Sequence, residues 1–338
     1  MLTRAEIKGF KCLHDVSVEL GPFNVLIGPN DSGKSSFLQA LGEPQRLEGQ
    51  PQARYGLGLR MARSGPDERS VHLWTADGDV YVGYEGNQLL ARVSGQQTHP
   101  TGVSQAAGRQ TFMRISEPLM LEPTEVAAPS PRGSGALTAL IQSRGRGATA
   151  HLARVALGDR TRYEAIQKGM RDITSGRIRE VIVGEDTGQG YPLSFRLYDD
   201  KEIPASELSE GLLVYFAFLC IVHRDDAPAV LLIEEPENGV HPLRLQEIVT
   251  LLRTLTERGI QILLTTHSPD LLNACKPEEV LVFRRPKPES GTEIRRLPPD
   301  FERRAMRSSM GEIWASSGEE GLLDMLPDVE PRIQAEAG

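Results

Sequence analysis

Residues Gly28-Pro29-Asn30-Asp31-Ser32-Gly33-Lys34-Ser35 read G-x-x-x-x-G-K-S, and this stretch constrains the fold of the chain more than any other. The spacing is that of a phosphate-binding loop. Gly28 and Gly33 let the backbone turn tightly and aim N–H groups at phosphate oxygens. Lys34 supplies a cation for β- and γ-phosphates, and the Ser35 hydroxyl is placed to ligate Mg²⁺. Asn30, Ser32 and Ser36 complete the expected nucleotide-contacting set. Phe23–Ile27 is a short β-type run before the loop and Ser36–Leu41 a helix start after it, so a helix N-terminus faces the phosphates.

Composition sets the outer limits. The chain has 338 residues, 39% hydrophobic and 25% charged, as expected of a water-soluble globular protein with one large domain or two smaller ones. Its three cysteines, Cys12, Cys220 and Cys275, lie far apart beside apolar residues. Buried free thiols fit that spacing better than a disulfide or a metal site, and suit a reducing compartment. The N-terminus has no apolar signal core, and the longest apolar run, Leu212 to Val222, has eleven residues where a membrane span needs about twenty. A cytoplasmic protein with no membrane partner is expected. The net charge of −8 argues against a generally basic nucleic-acid coat, though not against a local basic patch.

In chain order, Ala5–Leu13, Val16–Leu20 and Phe23–Ile27 are expected strands, punctuated at Asp15 and at Gly21-Pro22. Gly42 to Gln52 marks the end of the first helix and a loop. Residues 53–116 are β-rich, with a hairpin turn at Asp77-Gly78 and further strands at Leu89–Val93 and Thr111–Ile115. Glu117 to Gly135 is a proline-rich connector. Helical periodicity returns from Gly135 to Ser175 through Leu137, Leu140, Ile141, Leu152 and Val155. From Arg144 to Arg179 there are eight Arg and one Lys against three acids. That segment reads either as a solvated helix face or as a phosphate-backbone surface for DNA or RNA, in which Arg171, Arg177 and Arg179 are the candidate contacts. Ile178–Val183 and Leu193–Leu197 are strands around a turn at Gly188-Gln189-Gly190. Ala229–Ile233 and Ile260–Thr266 are continuous apolar runs, the mark of parallel strands buried on both faces. An amphipathic helix, Leu243–Leu255, lies between them. Leu281–Arg284 and Glu293–Leu297 are late strands before a helical tail.

Three later motifs carry chemistry. Glu234 and Glu235 close an apolar strand expected beside the phosphate-loop strand. There, Glu234 is assigned to Mg²⁺ and Glu235 to orienting or deprotonating the attacking water. Ser209-Glu210-Gly211 opens an apolar helix; Ser209 is either a plain N-cap or, with its neighbours' free N–H groups, a γ-phosphate site. His267 ends a strand and is either structural or a partner of the γ-phosphate or its attacking water. His241, in Gly239-Val240-His241-Pro242, is a loop or inter-subunit residue.

The order GPNDSGKS, LSEG, LLIEEPENGVHP, LLTTHSP resembles the ABC-type ATPases of the SMC, RecF and OLD group, and within it the short AAA-family ATPases of the OLD-like kind. Ile7–Lys11, Phe112–Ile115, Gly135–Leu137 and Gly311–Trp314 add weaker likeness. The resemblance implies an α/β P-loop NTPase of ABC-ATPase head type. A central, largely parallel sheet is joined to an N-terminal antiparallel β portion and a helical insert. Residues 1–41 and 200–300 form the nucleotide-binding core, 42–199 an inserted β-rich and helical lobe, and 301–338 a C-terminal helical tail. It also implies an ATP-dependent homodimer. Lys34, Ser35, Glu234 and Glu235 of one copy hold Mg²⁺ and ATP, while Ser209 and Gly211 of the other cap the γ-phosphate. His267 corresponds to the switch histidine, and Glu237-Asn238-Gly239 to the loop crossing the interface.

The sequence departs from that group in three ways. No long coiled coil lies between the phosphate loop and Leu208. A Toprim nuclease domain is not expected, so any cleavage needs a separate effector protein such as a nuclease. The glutamine loop has only Gln105 and Gln110 as candidates. The leading expectation is an ATPase acting on DNA or controlling an effector, in genome maintenance or phage defence. The first rival is a transporter cassette, disfavoured because LSEG runs straight into Leu212-Leu213-Val214. The second is a non-hydrolysing ATP-binding scaffold, disfavoured by Lys34, Glu234, Glu235 and His267 together.

Overall fold

The computed structural model describes residues 1–46, 69–76, 78–85, 88–94, 96–98, 115–129, 141–185, 190–225, 227–287, 289–305 and 308–326. The expected features at Asp77, Gln105, Gln110, 111–114, 135–137, Leu140 and 188–189 lie outside those residues. The strands are β1 Leu2–Phe10, β2 Leu13–Glu19, β3 Phe23–Ile27, β4 Arg69–Thr75, β5 Gly78–Glu85, β6 Gln88–Val93, β7 Gln96–Thr98, β8 Ile178–Val183, β9 Leu193–Leu197, β10 Glu202–Pro204, β11 Val230–Glu234, β12 Gln261–Thr265, β13 Val280–Arg284 and β14 Glu293–Arg296. The helices are α1 Lys34–Arg46, α2 Pro123–Ala127, α3 Ala148–Gly158, α4 Arg160–Ile173, α5 Glu210–Val222, α6 Leu245–Glu257, α7 Pro269–Asn273, α8 Phe301–Arg304 and α9 Met310–Leu323.

The central sheet runs β11-β12-β3-β13-β14. Its first four strands are parallel and β14 is antiparallel at the edge. Outside β11, Ile115 and Leu119 make parallel bridges to Val230 and Ile233. Alternate residues of the same strands feed two different cores. Val25, Ile27, Leu231, Ile233, Ile262 and Leu264 face a helical layer that includes α3 to α6. Leu26, Val230, Leu232 and Leu263 face α1 and the N-terminal sheet. That is why the centres of these strands are runs of consecutive apolar residues rather than alternating ones. On the helical side, α6 buries Leu245, Ile248, Val249, Leu252 and Leu255 at helical spacing. Nearly all of α5 is buried, as its unbroken apolar composition requires.

The N-terminal sheet is antiparallel, in the order β2-β1-β4-β5-β6-β7. In β1, Ala5 and Ile7 point inward and Arg4 outward. Gln261, buried at the start of β12, ties the two sheets. It accepts the Leu2 N–H at 2.8 Å and donates to the carbonyls of Leu2 at 2.8 Å and Gly21 at 2.7 Å. A smaller sheet, β10-β9-β8, packs with α4.

Several expectations are corrected. The first hairpin turns at Lys11-Cys12, with Lys11 at φ 53°, and Asp15 lies within β2. The first helix runs through Gly42 to Arg46. Ile141 is not helical; regular helix begins at Ala148. Most consequential, β11 does not lie beside the phosphate-loop strand β3, because β12 comes between them. Both β11 and β12 have apolar, buried centres, Val230–Ile233 and Ile262–Leu264, and side-chain pattern alone does not order equally buried neighbours.

Candidate functional site

The loop between β3 and α1 forms because its glycines sit where a side chain does not fit. Gly28 has φ 151°, and a Cβ there would overlap the Phe283 carbonyl and approach Ser32 Oγ at 2.7 Å. Gly33 has φ 105°, with Thr292 Oγ1 2.5 Å from where its Cβ would be. Thr292 braces the loop from below through its hydroxyl, donated to the Ser32 carbonyl at 2.9 Å. Ser32 Oγ is buried and has no hydrogen-bond partner among the described residues. The result is a concave backbone turn leading straight into α1.

Lys34 is 6% exposed. Its Nζ donates to the carbonyls of Gly28 at 2.7 Å and Pro29 at 2.9 Å. Burial lowers the ammonium from 10.5 to about 8, against the upward pull of Glu235, Asp31, Glu319 and Glu237. Asn30 and Ser35 are exposed, and Ser36 is half-buried with its Oγ 3.8 Å from Cys12 Sγ.

The carboxylates stand at the C-terminal end of β11. Burial first, and then the neighbouring Glu235, push the Glu234 carboxyl upward. Glu235 has φ 47°, an uncommon conformation for a non-glycine residue. Its N–H donates to the Thr265 carbonyl on β12 at 3.0 Å. Asn238 Nδ2 donates to Glu235 Oε2 at 3.0 Å, and His267 Nε2 lies 3.8 Å from Glu235 Oε1. Although β11 and β3 are not adjacent, the turn after β11 thus reaches across the end of β12. Burial and the Lys34 charge lower the His267 imidazolium, partly offset by Glu235, so the ring is neutral at neutral pH. Glu237 also belongs to this cluster, through hydrogen bonds to Thr266 and the His267 amide. By sequence it falls in the interface-crossing loop and not among the catalytic residues; the third acid of Glu-Glu-Pro-Glu was the available signal.

Ser209 is exposed and occupies the N-cap of α5, but its hydroxyl makes no capping bond. Gly211 lies against the turn after Glu235: a Cβ would come within 3.0 Å of the Gly239 carbonyl. Glu210 is exposed beside the same turn, its Oε2 3.5 Å from where a Cβ on Gly239 would be. Ser209 lines a cavity of about 280 Å³ with Arg177, Tyr198 and Leu212, and no phosphate-loop residue lines it. The residues therefore form two groups: Lys34, Glu234, Glu235 and His267 around the strand ends, and Ser209 to Gly211 at the mouth of α5.

Most of the basic segment is spoken for. Arg144 pairs with Glu122, Arg146 with Glu125, Arg154 and Arg162 with Asp225, and Arg179 with Asp200. Arg160 and Lys168 pair within α4. Among the described residues, Arg171 and Arg177 make no ion pair. All three cysteines are free, but Cys12 is only partly buried, against expectation. His241 is exposed in its loop, with Nδ1 accepting the Leu243 N–H at 3.3 Å.

Two family models match separate segments: "AAA domain, putative AbiEii toxin, Type IV TA system" over residues 154–273 and "AAA ATPase domain" over residues 1–42. A relative described as OLD nuclease, from Thermus scotoductus, is 44% identical over 41 residues, 12% of this chain and 8% of that protein's length. The chain thus spans a small fraction of that relative. Among solved structures, an SMC head bound to the C-winged helix domain of ScpA aligns with TM-score 0.60 at 12% identity, over 88% of this chain and 98% of that one. An SMC head with an extended coiled coil, bound to a ScpA C-terminal domain from Pyrococcus furiosus, aligns with TM-score 0.58 at 14% identity, over 90% and 98%. The SMC head domain from Thermotoga maritima aligns with TM-score 0.52 at 12% identity, over 88% and 99%. The fold is that of an SMC head, an α/β P-loop ATPase architecture. Within that fold, residues 1–42 and 154–273 match AAA-type ATPase models, and a short segment is similar to the OLD nuclease relative.

Proposed function

We propose that this chain is a Mg²⁺-dependent ATPase that closes with a second copy around ATP and passes the open–closed cycle to a separate effector. The observation carrying this reading is the convergence of Glu235, His267 and Lys34 at the ends of β11, β12 and β3. The residues present fit a nucleoside triphosphate with its metal. The glycine-lined turn has a buried, unpartnered Ser32 hydroxyl, and Lys34 rests on its own loop carbonyls. Bound Mg²⁺ would supply charge neutralisation between the β- and γ-phosphates.

The protein's own groups then divide the work. Lys34 exchanges two carbonyl acceptors for phosphate oxygens, and the arriving anionic charge favours its ammonium form. Ser35 and Glu234 would hold the metal, the hydroxyl and the carboxylate being the hard oxygen donors that Mg²⁺ takes. Glu235 takes the proton of the attacking water, and the neutral His267 ring donates a hydrogen bond at the γ-phosphate. Gly28, Asn30, Ser32, Gly33 and Ser36 shape the loop. Ser209 and Glu210, exposed at the start of α5, and the half-buried Gly211 cap the γ-phosphate held by the second copy.

A cytoplasmic setting and an effector such as a nuclease, in genome maintenance or phage defence, complete the proposal. They draw on the OLD-type match and on the ScpA-bound SMC heads. Residues 1–41 and 200–300 act as the nucleotide core and 42–199 as the inserted lobe. The ion pairs of the 144–179 segment leave little free charge for DNA, so an effector protein is the favoured target. Phosphate release tests the central step. Glu235→Gln is expected to slow it about 100-fold or more with ATP affinity retained. Turnover equal to wild type would contradict the assignment.

A further inference from the structure

Glu237 has a hydrogen-bond pattern that the roles above leave unexplained. One oxygen, Oε1, accepts both the Thr266 hydroxyl at 2.8 Å and the His267 backbone N–H at 2.7 Å. Thr266 Oγ1 in turn accepts the Ser268 N–H at 3.0 Å. The other oxygen, Oε2, is buried and has no partner among the described residues. Burial pushes the carboxyl upward despite those two donors. A buried polar atom left unmatched costs stability, so its presence calls for an explanation beyond packing.

The location supplies one. Glu237 lies in the turn that follows Glu235, closed by Asn238 N–H to the Glu235 carbonyl at 3.1 Å and Val240 N–H to the Glu237 carbonyl at 2.9 Å. Within that turn Asn238 holds the Glu235 side chain. Glu237 reaches the other way, to the main chain where β12 ends and His267 begins. Thr266 and His267 are irregular backbone and, among the described residues, have no strand partner beyond the Thr266 N–H bond to the Leu26 carbonyl. The direction of the imidazole therefore depends on what fixes the peptide carrying it.

We propose that Glu237 is a positioning residue for His267: its carboxylate fixes the Thr266–His267 main chain so that the ring stays beside Glu235 and facing the phosphate loop. The inference rests on the ATPase reading above. It adds that one turn, Glu235 to Val240, orients both the proton acceptor and the histidine.

The test combines phosphate release with amide spectra of the full chain labelled with ¹⁵N-histidine. In wild type the His267 amide proton resonates downfield, as a bond to a carboxylate requires. Glu237→Ala shifts it upfield; Glu237→Gln, whose Oε1 still accepts both donors, shifts it far less. Glu237→Ala lowers kcat at least about 10-fold, the scale on which misplaced groups cost rate. The KM for ATP stays within about threefold, since binding energy is untouched, and this also reports a folded variant. Glu237→Gln recovers most of the loss. Added to His267→Ala, Glu237→Ala costs nothing further, because one residue acts through the other. An unmoved resonance in Glu237→Ala, a loss fully additive with His267→Ala, or a raised KM with unchanged kcat overturns the inference. If wild type shows no turnover, the ATPase reading falls, and the amide resonance alone decides whether Glu237 holds His267.

Discussion

Lys34 and Ser209 both stand at the N-termini of helices, α1 and α5, and the protein treats them in opposite ways. Lys34 is buried and held by two carbonyls of its own loop, above a floor tied together by Thr292. Ser209 is exposed, its hydroxyl caps nothing, and the cavity it lines contains no phosphate-loop residue. A helix N-terminus favours anions in either case. One end is preorganised within a single chain; at the other, Ser209 and Glu210 are exposed and the Ser209 side chain makes no capping bond. This asymmetry is what a site completed by a second copy requires.

The largest expected effect comes at the preorganised end. Lys34→Ala should weaken Mg-ATP binding by about 100-fold or more, from two charge-assisted bonds at roughly 1.5–3 kcal/mol each. The same variant loses a buried cation, so the melting temperature of the nucleotide-free protein is expected to hold or rise. Calorimetric titration and thermal melting separate the two. A large drop in melting temperature with affinity intact would reverse the comparison.

Next in size is a pH effect with a definite sign. Lys34 titrates near 8 in the free protein rather than at 10.5, and phosphate raises it again. Below about pH 8 the ammonium is present before and after binding, so affinity is flat. Above it, binding must take up a proton, and affinity falls by up to about tenfold per pH unit. The depressed folded-state value has the opposite consequence for the empty fold, whose stability gains from Lys34 between about pH 8 and 10.5. Proton uptake measured in buffers of different ionisation enthalpy, compared with Lys34→Ala, isolates the term. Affinity rising above pH 8 would contradict it.

The smallest effects sharpen the contrast between caps. Ser309 caps α9 in a reciprocal pair with Glu312, and Ser309→Ala should cost about 1 kcal/mol in denaturant unfolding. Ser209→Ala, at a cap that makes no side-chain bond, should cost almost nothing while weakening ATP-driven association. Equal losses in both would mean that Ser209 is an ordinary cap.

The phosphate loop, the buried strands and the helix starting at Glu210 were legible because each is set by local chemistry: glycine spacing, unbroken apolar runs, a serine before an apolar stretch. The strand order was not. The centres of β11 and β12, Val230–Ile233 and Ile262–Leu264, are both apolar and buried, and only tertiary packing inserts β12 between β11 and β3. The contact of Glu237 with the end of β12 was not legible because its partners, the Thr266 hydroxyl and the His267 main-chain N–H, lie about thirty residues on and are joined to it only by the fold. The basic segment has partners that a charge count along the chain does not see. Counting charges between Arg144 and Arg179 omits Glu122, Glu125, Asp200 and Asp225, which the fold brings to those arginines.

The most direct test of the shared site is the solution mass of Glu235→Gln with and without Mg-ATP. The expected result is a doubled mass that appears only with nucleotide and is abolished by adding Ser209→Arg. An unchanged mass at saturating ATP, or a dimer indifferent to Ser209→Arg, would contradict a site completed across two copies.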